Sequence, residues 1–392
     1  MSEVTCVTHN PGGARRVVTT RALPGDRWLD LLTRSGFRVE ACASDLPLGA
    51  GDLLDLVGDR CDAVIAQLTE RWDAATLEVL ARAGGRVLSL YAVGHDNVDL
   101  AVATRLGIAV GNTPGILTET TAELAVALTF AAARRVVEAD RLLAEGRYTG
   151  WLPSLLLGKR LWRKTLGVVG AGRIGSTYAR MMVEGHKMNV VYLDPRPDPA
   201  LESFVAAYGA FLTNRGEAPV ACRRATSLAD LLSAADVVSL HLALTAETRH
   251  LIDAAALAAM KDEAILVNTA RGPLVDEAAL VRHCRSHPSF SAALDVFEDE
   301  PRTAPGLLAL DNVVAVPHIG SATGWTRRGM ATLAAANVVG VLSGWPAWRG
   351  DVAPFLGDAP PRAAPSVVNA SELGLPVLDP AGATLGAVST NG

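Results

Sequence analysis

Short apolar stretches and amphipathic stretches alternate along most of the sequence. RRVVTT, FRVEAC, CDAVIAQ and GGRVLSLYAVG have the length and composition of strands, and GDRWLDLLTRSG and DAATLEVLARAG, which lie between them, have helical periodicity. A second series of strands begins at KTLGVVG and continues through NVVYLD, ADVVSLHL, AILVNTA, SAALDVF and NVVAVPH. Strands that alternate with helices form parallel sheets covered by helices. We therefore predict an α/β chain with two doubly wound parallel sheets.

A chain of 392 residues is too long for one ordinary domain. One long helix, TETTAELAVALTFAAARRVVEADRLLAEG, should connect the two series, with Thr118 as its capping residue. A second long helix, WTRRGMATLAAANVVGVLSG, follows the last strand and should return to the first domain, which makes that domain discontinuous. The predicted boundaries are a first domain over 1–122, a second over 123–322, the returning helix over 323–350 and a Pro-rich tail over 351–392.

The composition excludes several classes of protein. A formal charge of −5 without a basic stripe argues against a nucleic-acid partner. The five cysteines are scattered and form no CxxC pair, which argues against a zinc site or a disulfide framework and for a reducing compartment. The sequence contains no apolar run of membrane-spanning length, and MSEVTCVTHNPGG lacks the layout of a signal peptide. We expect a soluble intracellular protein without a metal site.

The second series opens with the glycine-rich sequence LGVVGAGRIGSTYARMM. Gly170, Gly172 and Gly175 follow an apolar strand and precede a helix, and Asp194 ends the next strand, nineteen residues after Gly175. Such glycines allow a tight turn and the approach of a pyrophosphate to the helix N-terminus, and the acid accepts hydrogen bonds from ribose hydroxyls. Because a carboxylate repels a 2′-phosphate, the motif predicts NAD(H). Arg196 is either a solvated loop residue or a partner for such a phosphate.

Three later strands end in residues suited to acid–base chemistry. AILVNTA is followed by Arg271, SAALDVF by Glu298, Asp299 and Glu300, and NVVAVP by His318. Ligands of open parallel sheets bind outside the carboxyl ends of the strands, so these residues should share a rim with the glycine loop. An arginine there binds a carboxylate, a histidine donates a proton, and an acid orients the histidine.

The segments VGAGRIG, NTARGPLVDEAAL, LDVFEDEP and PHIGSAT resemble the signatures of the D-isomer-specific 2-hydroxyacid dehydrogenase family. The resemblance covers almost the whole chain and extends to the NADH-dependent hydroxypyruvate reductases of photorespiration, also called glycerate dehydrogenases. It implies a flavodoxin-like substrate domain over 1–122, a Rossmann NAD-binding domain over 123–322, and a homodimer. The implied reaction is reduction of hydroxypyruvate to D-glycerate, with glyoxylate as a second substrate whose rank the sequence leaves open.

The same resemblance implies roles for individual residues. Arg271, Glu300 and His318 match the catalytic positions, with His318 as the acid, and the backbone around Val93 and Gly94 matches the contact to the substrate carboxylate. Trp151 is either a wall of the substrate pocket, contributed across a dimer interface, or a loop anchor over the core. Besides the glycine loop and Asp194, the positions that match cofactor contacts are Thr118, Arg173, Ile174, Ala270, Asp295 and Gly320.

Two other functions remain on the sequence alone. A phosphoglycerate dehydrogenase would need extra cations for the phosphate and often a regulatory domain, for which the tail is too short. An NADH-sensing corepressor on the same fold would retain every motif and bind peptide partners.

The sequence also departs from the family at two places. Leu242 follows His241 where the family commonly has a proline, which should alter the loop near the adenine. The chain continues with LDPAGATLGAVSTNG past GLPV, where the plant peroxisomal reductases soon end in a targeting tripeptide. We therefore expect a cytoplasmic location and a disordered end.

Overall fold

The computed structural model describes residues 5–44 and 46–379, and the backbone of residues 384–385. The chain forms two compact units: unit 1 comprises the described residues of 1–117 and 322–392, and unit 2 comprises Thr118–Ser321. The first division falls five residues before the one expected at 122/123, and the second falls one residue before the one expected at 322/323. Within the described residues, no helix is long and apolar enough to cross a bilayer.

As far as the structure describes it, the part of unit 1 that precedes unit 2 in the sequence contains a six-stranded sheet and four helices. Its strands are β1 (Cys6–His9), β2 (Arg15–Thr19), β3 (Phe37–Cys42), β4 (Ala63–Ala66), β5 (Val87–Leu90) and β6 (Ala109–Gly111), and its helices are α1 (Arg27–Arg34), α2 (Ala50–Val57), α3 (Ala74–Arg82) and α4 (Leu100–Arg105). In the described part of the chain the strand order is β1-β3-β2-β4-β5-β6, with β1 antiparallel to β3 and the other neighbours parallel. The parallel strands have the flavodoxin-like order predicted.

Unit 2 begins with α5 (Thr118–Ala133) and α6 (Val136–Ala144), where the sequence predicted one helix. That prediction is wrong at Arg135, whose φ of 53° is left-handed. The Ala133 carbonyl accepts a hydrogen bond from the Lys159 N–H at 2.7 Å instead of continuing the helical ladder. A contact from a distant segment, which local periodicity cannot reveal, therefore ends the helix.

The remainder of unit 2 is a doubly wound sheet. Its strands are β7 (Thr165–Val169), β8 (Asn189–Leu193), β9 (Cys222–Arg224), β10 (Val237–Leu240), β11 (Ile265–Asn268), β12 (Ser291–Leu294) and β13 (Val313–Ala315), and its helices are α7 (Arg173–His186), α8 (Pro199–Asn214), α9 (Leu228–Ala234), α10 (Ala254–Ala258) and α11 (Glu277–Ser286). Within the described residues all neighbouring strands are parallel, in the order β13-β12-β11-β10-β7-β8-β9.

The strand order of unit 2 determines where a ligand can bind. The chain winds outward from β7 in both directions, so β7 and β10 flank the switch point of the sheet. The central strands are buried on both faces, which explains their continuous apolar sequences. The polar residues of the motifs follow the strands instead, at their carboxyl ends. The predicted Rossmann architecture is confirmed.

The chain then returns to unit 1 as α12 (Gly324–Leu342), which packs on β4, β5, β6 and α1. β14 (Ala347–Trp348) pairs in parallel with β15 (Val377–Leu378), which pairs with β16 (Thr384–Leu385).

The segment expected as a Pro-rich tail is packed in unit 1 as far as Asp379. Phe355, Ala364 and Asn369 are buried, and Ala364 lies so close to α12 that a Cβ on Gly340 would meet its Cα at 2.7 Å. The disorder expected after GLPV concerns mainly residues 380–383 and 386–392, which lie outside the described residues.

Candidate active site

The three glycines of the turn between β7 and α7 have different surroundings. Gly170 has a φ of 94°, and a Cβ there would lie 2.7 Å from the His241 carbonyl oxygen, so conformation and space both require glycine. A Cβ on Gly175 would lie 2.1 Å from the Gly170 carbonyl oxygen. At Gly172, the N-cap of α7, a Cβ would meet nothing within 4 Å. This open side of the turn at a helix N-terminus fits the pyrophosphate of a dinucleotide.

Asp194 follows β8 and lies beside the glycine loop. Its Oδ2 accepts a hydrogen bond from the Ala171 N–H at 3.1 Å, and its Oδ1 accepts one from the Arg196 N–H at 3.0 Å. These two bonds fix the carboxylate beside the glycine loop. Arg224 donates to the backbone carbonyls of Asp194 at 2.9 Å and of Pro195 at 2.8 Å. Nothing in the sequence pointed to Arg224, because the short strand β9 has no apolar pattern.

His241 and Leu242 follow β10 and pack under Gly170. The His241 Nε2 lies 2.8 Å from the Ser239 Oγ, and burial lowers the pKa of His241 to about 3, so the imidazole is neutral. The Leu242 side chain, which stands where the family commonly has proline, comes within 2.8 Å of the position of a Cβ on Gly170. Leu242 therefore packs directly beneath the glycine loop.

Arg271 is half-buried and is held by a braced loop after β11. Its Nη1 donates to the Ala270 carbonyl at 2.8 Å. The Asn268 side chain donates to the Arg271 carbonyl at 2.8 Å and accepts from the Ala270 N–H at 3.1 Å. The next residue passes so close to another loop that a Cβ on Gly272 would lie 1.8 Å from the Phe297 carbonyl oxygen. These contacts fix the position of the guanidinium group at the strand end.

The Nδ1 of His318 and the Oε2 of Glu300 are 2.9 Å apart, and the two side chains are 29% and 27% exposed. Burial acts to raise the pKa of Glu300, but the hydrogen bond and positive charge of His318, with smaller contributions from Phe297 and Arg271, lower it overall. Glu300 is therefore a carboxylate that faces the Nδ1 of His318. Because the contact uses Nδ1, Nε2 is the nitrogen left for proton exchange.

The loop that carries His318 is held by one buried acid, Asp295, which is 1% exposed. Its carbonyl accepts from the His318 N–H at 2.9 Å, its Oδ1 from the Ile319 N–H at 2.6 Å and its Oδ2 from the Gly320 N–H at 2.9 Å. Burial raises the pKa of Asp295, against these hydrogen bonds and the charge of His318. The bonds hold His318 at a φ of 51°, a conformation that is uncommon outside glycine.

Among the described residues, Glu300 is the one acid of its loop whose side chain forms a hydrogen bond with the His318 imidazole. Glu298 lies 2.6 Å from the Nε2 of His250, and Asp299 pairs with an exposed arginine. The carboxyl edge of the sheet thus carries a cation, a carboxylate–imidazole pair and a glycine loop. This arrangement can bind a carboxylate, transfer a proton and hold a dinucleotide.

Comparisons with known proteins agree with this geometry. The family model described as D-isomer specific 2-hydroxyacid dehydrogenase, NAD binding domain, matches residues 126–320. A glycerate dehydrogenase from Cucumis sativus is 55% identical over 370 residues, which cover 93% of this chain and 97% of that protein. This chain belongs to the D-isomer-specific 2-hydroxyacid dehydrogenase family. It is a D-2-hydroxyacid dehydrogenase that uses a nicotinamide cofactor.

Two further proteins are similar to this dehydrogenase over most of its length. A glyoxylate reductase from Korarchaeum cryptofilum is 40% identical over 343 residues, 87% of this chain and 95% of that protein. A crystal structure of a protein from Thermus thermophilus matches with a TM-score of 0.75 at 41% identity, covering 90% of this chain and 99% of that chain.

Other residues that the sequence predicted for the dehydrogenase site lie at several places. Thr118 is buried and is the first helical residue of α5, where the sequence expected the cap. Arg173 and Ile174 open α7 beside the glycine loop. Trp151 lies in the segment between α6 and β7 and is 79% exposed. The alternative in which it anchors this segment on the core is therefore wrong.

Two buried residues of the dehydrogenase site were missed by the sequence. The Asn268 side chain braces the Arg271 loop, as described above. Glu277, which is buried, accepts from the Glu298 N–H at 2.7 Å and the Ala304 N–H at 2.8 Å, so it holds both sides of the loop that carries Glu300. An acid at the start of a helix is ordinary in a sequence, and nothing in VDEAAL distinguishes Glu277.

Proposed function

We propose that this chain reduces hydroxypyruvate to D-glycerate with NADH, and glyoxylate to glycolate as a second reaction. The observation that carries the proposal is the 2.9 Å contact between His318 and Glu300 on the rim that also holds Arg271. The names of two similar proteins, a glycerate dehydrogenase and a glyoxylate reductase, support the choice of substrates. They do not favour a phosphoglycerate dehydrogenase or a corepressor.

In the proposed mechanism, Arg271 binds the carboxylate and carbonyl oxygens of the 2-oxo acid and polarises the carbonyl. His318 is protonated before reduction, and its Nε2 gives the proton to the carbonyl oxygen. Glu300 holds Nδ1, which fixes the tautomer and favours the charged imidazole. The reverse reaction, oxidation of glycerate, needs the same imidazole neutral.

For the cofactor we propose NADH rather than NADPH. Bound at this site, NADH would supply the hydride for carbon 2 of the substrate. Gly170, Gly172 and Gly175 would hold the pyrophosphate, and the Asp194 carboxylate would accept from the ribose hydroxyls and repel a 2′-phosphate. The further proposed contacts come from Thr118, Arg173, Ile174, Ala270, Asp295 and Gly320.

For the substrate side, we propose that backbone N–H groups of Val93 and Gly94 in unit 1 bind the substrate carboxylate. We assign Trp151 to the wall of a substrate pocket completed by a second copy of the chain. The support for a homodimer is the exposed apolar surface of α6 and the segment after it. This surface consists of Val136, Leu143, Trp151, Leu152 and Leu157. Light scattering on the purified protein and on Trp151→Ala tests the assembly.

We further propose that the protein works in the cytoplasm. All five cysteines are free thiols, which suits a reducing compartment. Imaging of a fluorescent fusion placed at an internal exposed loop tests the location.

The proposed function is tested by steady-state kinetics on the purified chain. Hydroxypyruvate, glyoxylate, pyruvate and 3-phosphohydroxypyruvate are compared, each with NADH and with NADPH. We expect hydroxypyruvate with NADH to give the highest kcat/KM and glyoxylate measurable turnover. Absence of turnover with both hydroxypyruvate and glyoxylate, or a higher kcat/KM for 3-phosphohydroxypyruvate, would overturn the proposal.

A further inference from the structure

The peptide between Val93 and Gly94 is held from one side by a buried side chain. The Val93 carbonyl accepts a 2.8 Å hydrogen bond from the Nδ2 of Asn112, which is 8% exposed and directly follows β6. A trans peptide is planar, with its C=O and N–H pointing in opposite directions. The bond that fixes the Val93 carbonyl therefore also fixes the direction of the Gly94 N–H. Within the described residues, this N–H donates to no protein acceptor.

The orientation of Asn112 is set by the C-terminal segment. Ser366 donates its hydroxyl to the Asn112 Oδ1 at 2.5 Å. With Oδ1 occupied by a donor, the amide must present Nδ2 to the Val93 carbonyl. The Asn112 N–H also donates to the Ser366 carbonyl, at 3.3 Å.

A fully buried residue of α12, Asn337, ties this arrangement together. Its Nδ2 donates to the Asn112 carbonyl at 2.9 Å, and its Oδ1 accepts from the Ser366 N–H at 2.8 Å. The backbone N–H of Ser366 is thus held by Asn337, and this bond does not involve the Ser366 hydroxyl. Substitution of the hydroxyl alone should leave the segment in place.

We propose that Asn112 and Ser366 are positioning residues for the substrate carboxylate, acting through the Val93–Gly94 peptide. The inference rests on the proposed function, in which the Gly94 N–H binds that carboxylate. The chain from Ser366 through Asn112 to Val93 aims the N–H, and a hydrogen-bonded carbonyl also makes the amide a stronger donor. The C-terminal segment thereby contributes to substrate affinity without touching the substrate.

The same segment offers a matched control in Asn369, which is also deeply buried. Its Oδ1 accepts from the Val110 N–H at 2.9 Å, and its Nδ2 donates to the Ile108 carbonyl at 2.9 Å. Asn369 therefore attaches the segment to β6 without contacting the Val93–Gly94 peptide. Its replacement should weaken the fold but leave the direction of the Gly94 N–H unchanged.

The test compares wild type with Asn112→Asp, Ser366→Ala, Ser366→Thr and Asn369→Ala in hydroxypyruvate reduction, well below each thermal midpoint. Asn112→Asp keeps the shape but loses the donor to the Val93 carbonyl, so the KM for hydroxypyruvate should rise roughly tenfold. Ser366→Ala should raise the KM for hydroxypyruvate less, and Ser366→Thr, which keeps the hydroxyl, should have the wild-type KM. The KM for NADH and kcat should stay within about twofold of wild type, because the lost contact acts on substrate binding. Asn369→Ala should lower the thermal midpoint without raising the KM for hydroxypyruvate.

The inference is overturned if wild type is active and both Asn112→Asp and Ser366→Ala keep its KM for hydroxypyruvate. It is also overturned if Asn369→Ala raises that KM as much as they do, since the role would then be structural. If wild type reduces neither hydroxypyruvate nor glyoxylate, the proposed function itself fails, and the two failures are thus distinguishable.

Discussion

Arg271 presents its guanidinium group after the end of β11. The Nη1 of that group donates to the Ala270 carbonyl, and the Asn268 side chain donates to the Arg271 backbone carbonyl. A charge-assisted donor that is positioned in advance stabilises the oxygen as it gains negative charge. Arg271→Ala should therefore lower kcat/KM for hydroxypyruvate by roughly two to three orders of magnitude. Steady-state kinetics measure the loss, and fluorescence titration should show that NADH still binds.

Arg302→Ala is the control for this prediction, because it removes an exposed arginine of the same edge that pairs only with Asp299 among the described residues. It should keep wild-type kinetics. If Arg271→Ala behaves like this control, Arg271 has no part in the reaction.

The Glu300–His318 pair predicts a shift of pH dependence. Burial acts to raise the pKa of Glu300, but the hydrogen bond and charge of His318 lower it overall, so Glu300 is a carboxylate 2.9 Å from the imidazole Nδ1. Glu300→Gln keeps a hydrogen-bonding group but loses the charge. Reduction needs His318 protonated, so its alkaline fall in rate should move to lower pH. Glycerate oxidation needs His318 neutral, so its acid limb should move in the same direction.

The measurement is a pair of pH–rate profiles, one in each direction, for wild type and Glu300→Gln. Asp299→Asn, which changes an exposed neighbour, should leave both profiles where they are. Profiles that do not move in Glu300→Gln, or near-wild-type turnover of His318→Ala, would show that the proton comes from another group.

Asp194 should decide the cofactor preference. Its carboxylate is fixed beside the glycine loop by the Ala171 and Arg196 N–H groups. Wild type should give a higher kcat/KM with NADH than with NADPH, and Asp194→Ala should narrow the difference by removing the repulsion of a 2′-phosphate. A wild-type preference for NADPH would contradict this proposal and direct attention to Arg196 and Arg224.

The residues of the site differ in how far the sequence reveals them. Arg271, Glu300 and His318 could be proposed because each follows an apolar strand, where a polar residue is conspicuous and the sheet brings strand ends together. Glu277 and Arg224 could not, because their contacts join segments that meet only in the folded chain. Asn268 could not either: its contacts are local, but an asparagine at a strand end has no distinctive sequence pattern. The sequence thus indicated the proposed reacting groups and missed the residues that hold them in place.

In the turn from β7 into α7, substitutions at two glycines should have different effects on the stability of the fold and on the affinity for NADH. Alanine at Gly172 meets no atom within 4 Å, so the thermal midpoint should stay near wild type while NADH affinity falls, because the methyl group stands where the pyrophosphate approaches. Alanine at Gly175 meets the Gly170 carbonyl at 2.1 Å, so the midpoint itself should fall. Calorimetry and NADH titration of both variants test this, and equal losses of stability would contradict it.

The elements that the sequence predicted correctly are those with strong periodicity, such as β7, α7 and α12. The error at Arg135 arose because α5 and α6 share one helical pattern, while the Ala133 carbonyl is captured by Lys159 from a later segment. The short strands β1, β6 and β9 were not predicted, since three or four residues show no reliable alternation.

For the molecule as a whole, the C-terminal segment should divide into an essential and a dispensable part. A chain ending after Pro376 loses the two-residue pairings of β15 with β14 and with β16, and it should fold and turn over normally. A chain ending after Gly350 also loses the buried Phe355, Ala364 and Asn369, and it should fail to fold. Circular dichroism and activity of both truncations measure this. Loss of activity on ending after Pro376 would show that the final residues have a function.

In the sequence, unit 2 is inserted between the two segments of unit 1. This nesting along the chain was predicted from the long helix that follows the last strand of the second series. The packing of the segment after Asp351 was not. Its buried contacts come from isolated residues such as Ser366 and Asn369, whose partners lie more than 250 positions earlier in the chain.

That nesting also has a consequence for the order of events at the ribosome. All of Thr118–Ser321 is translated before α12, which covers β4, β5 and β6. At common rates of synthesis this interval lasts roughly 10–40 s, and during it the second unit is made while the first still lacks the helix that covers β4, β5 and β6. The side of β4, β5 and β6 that α12 will cover therefore stays exposed in the nascent chain. Mutations that weaken the first six strands should lower the yield of newly made protein more than they lower the stability of protein already folded.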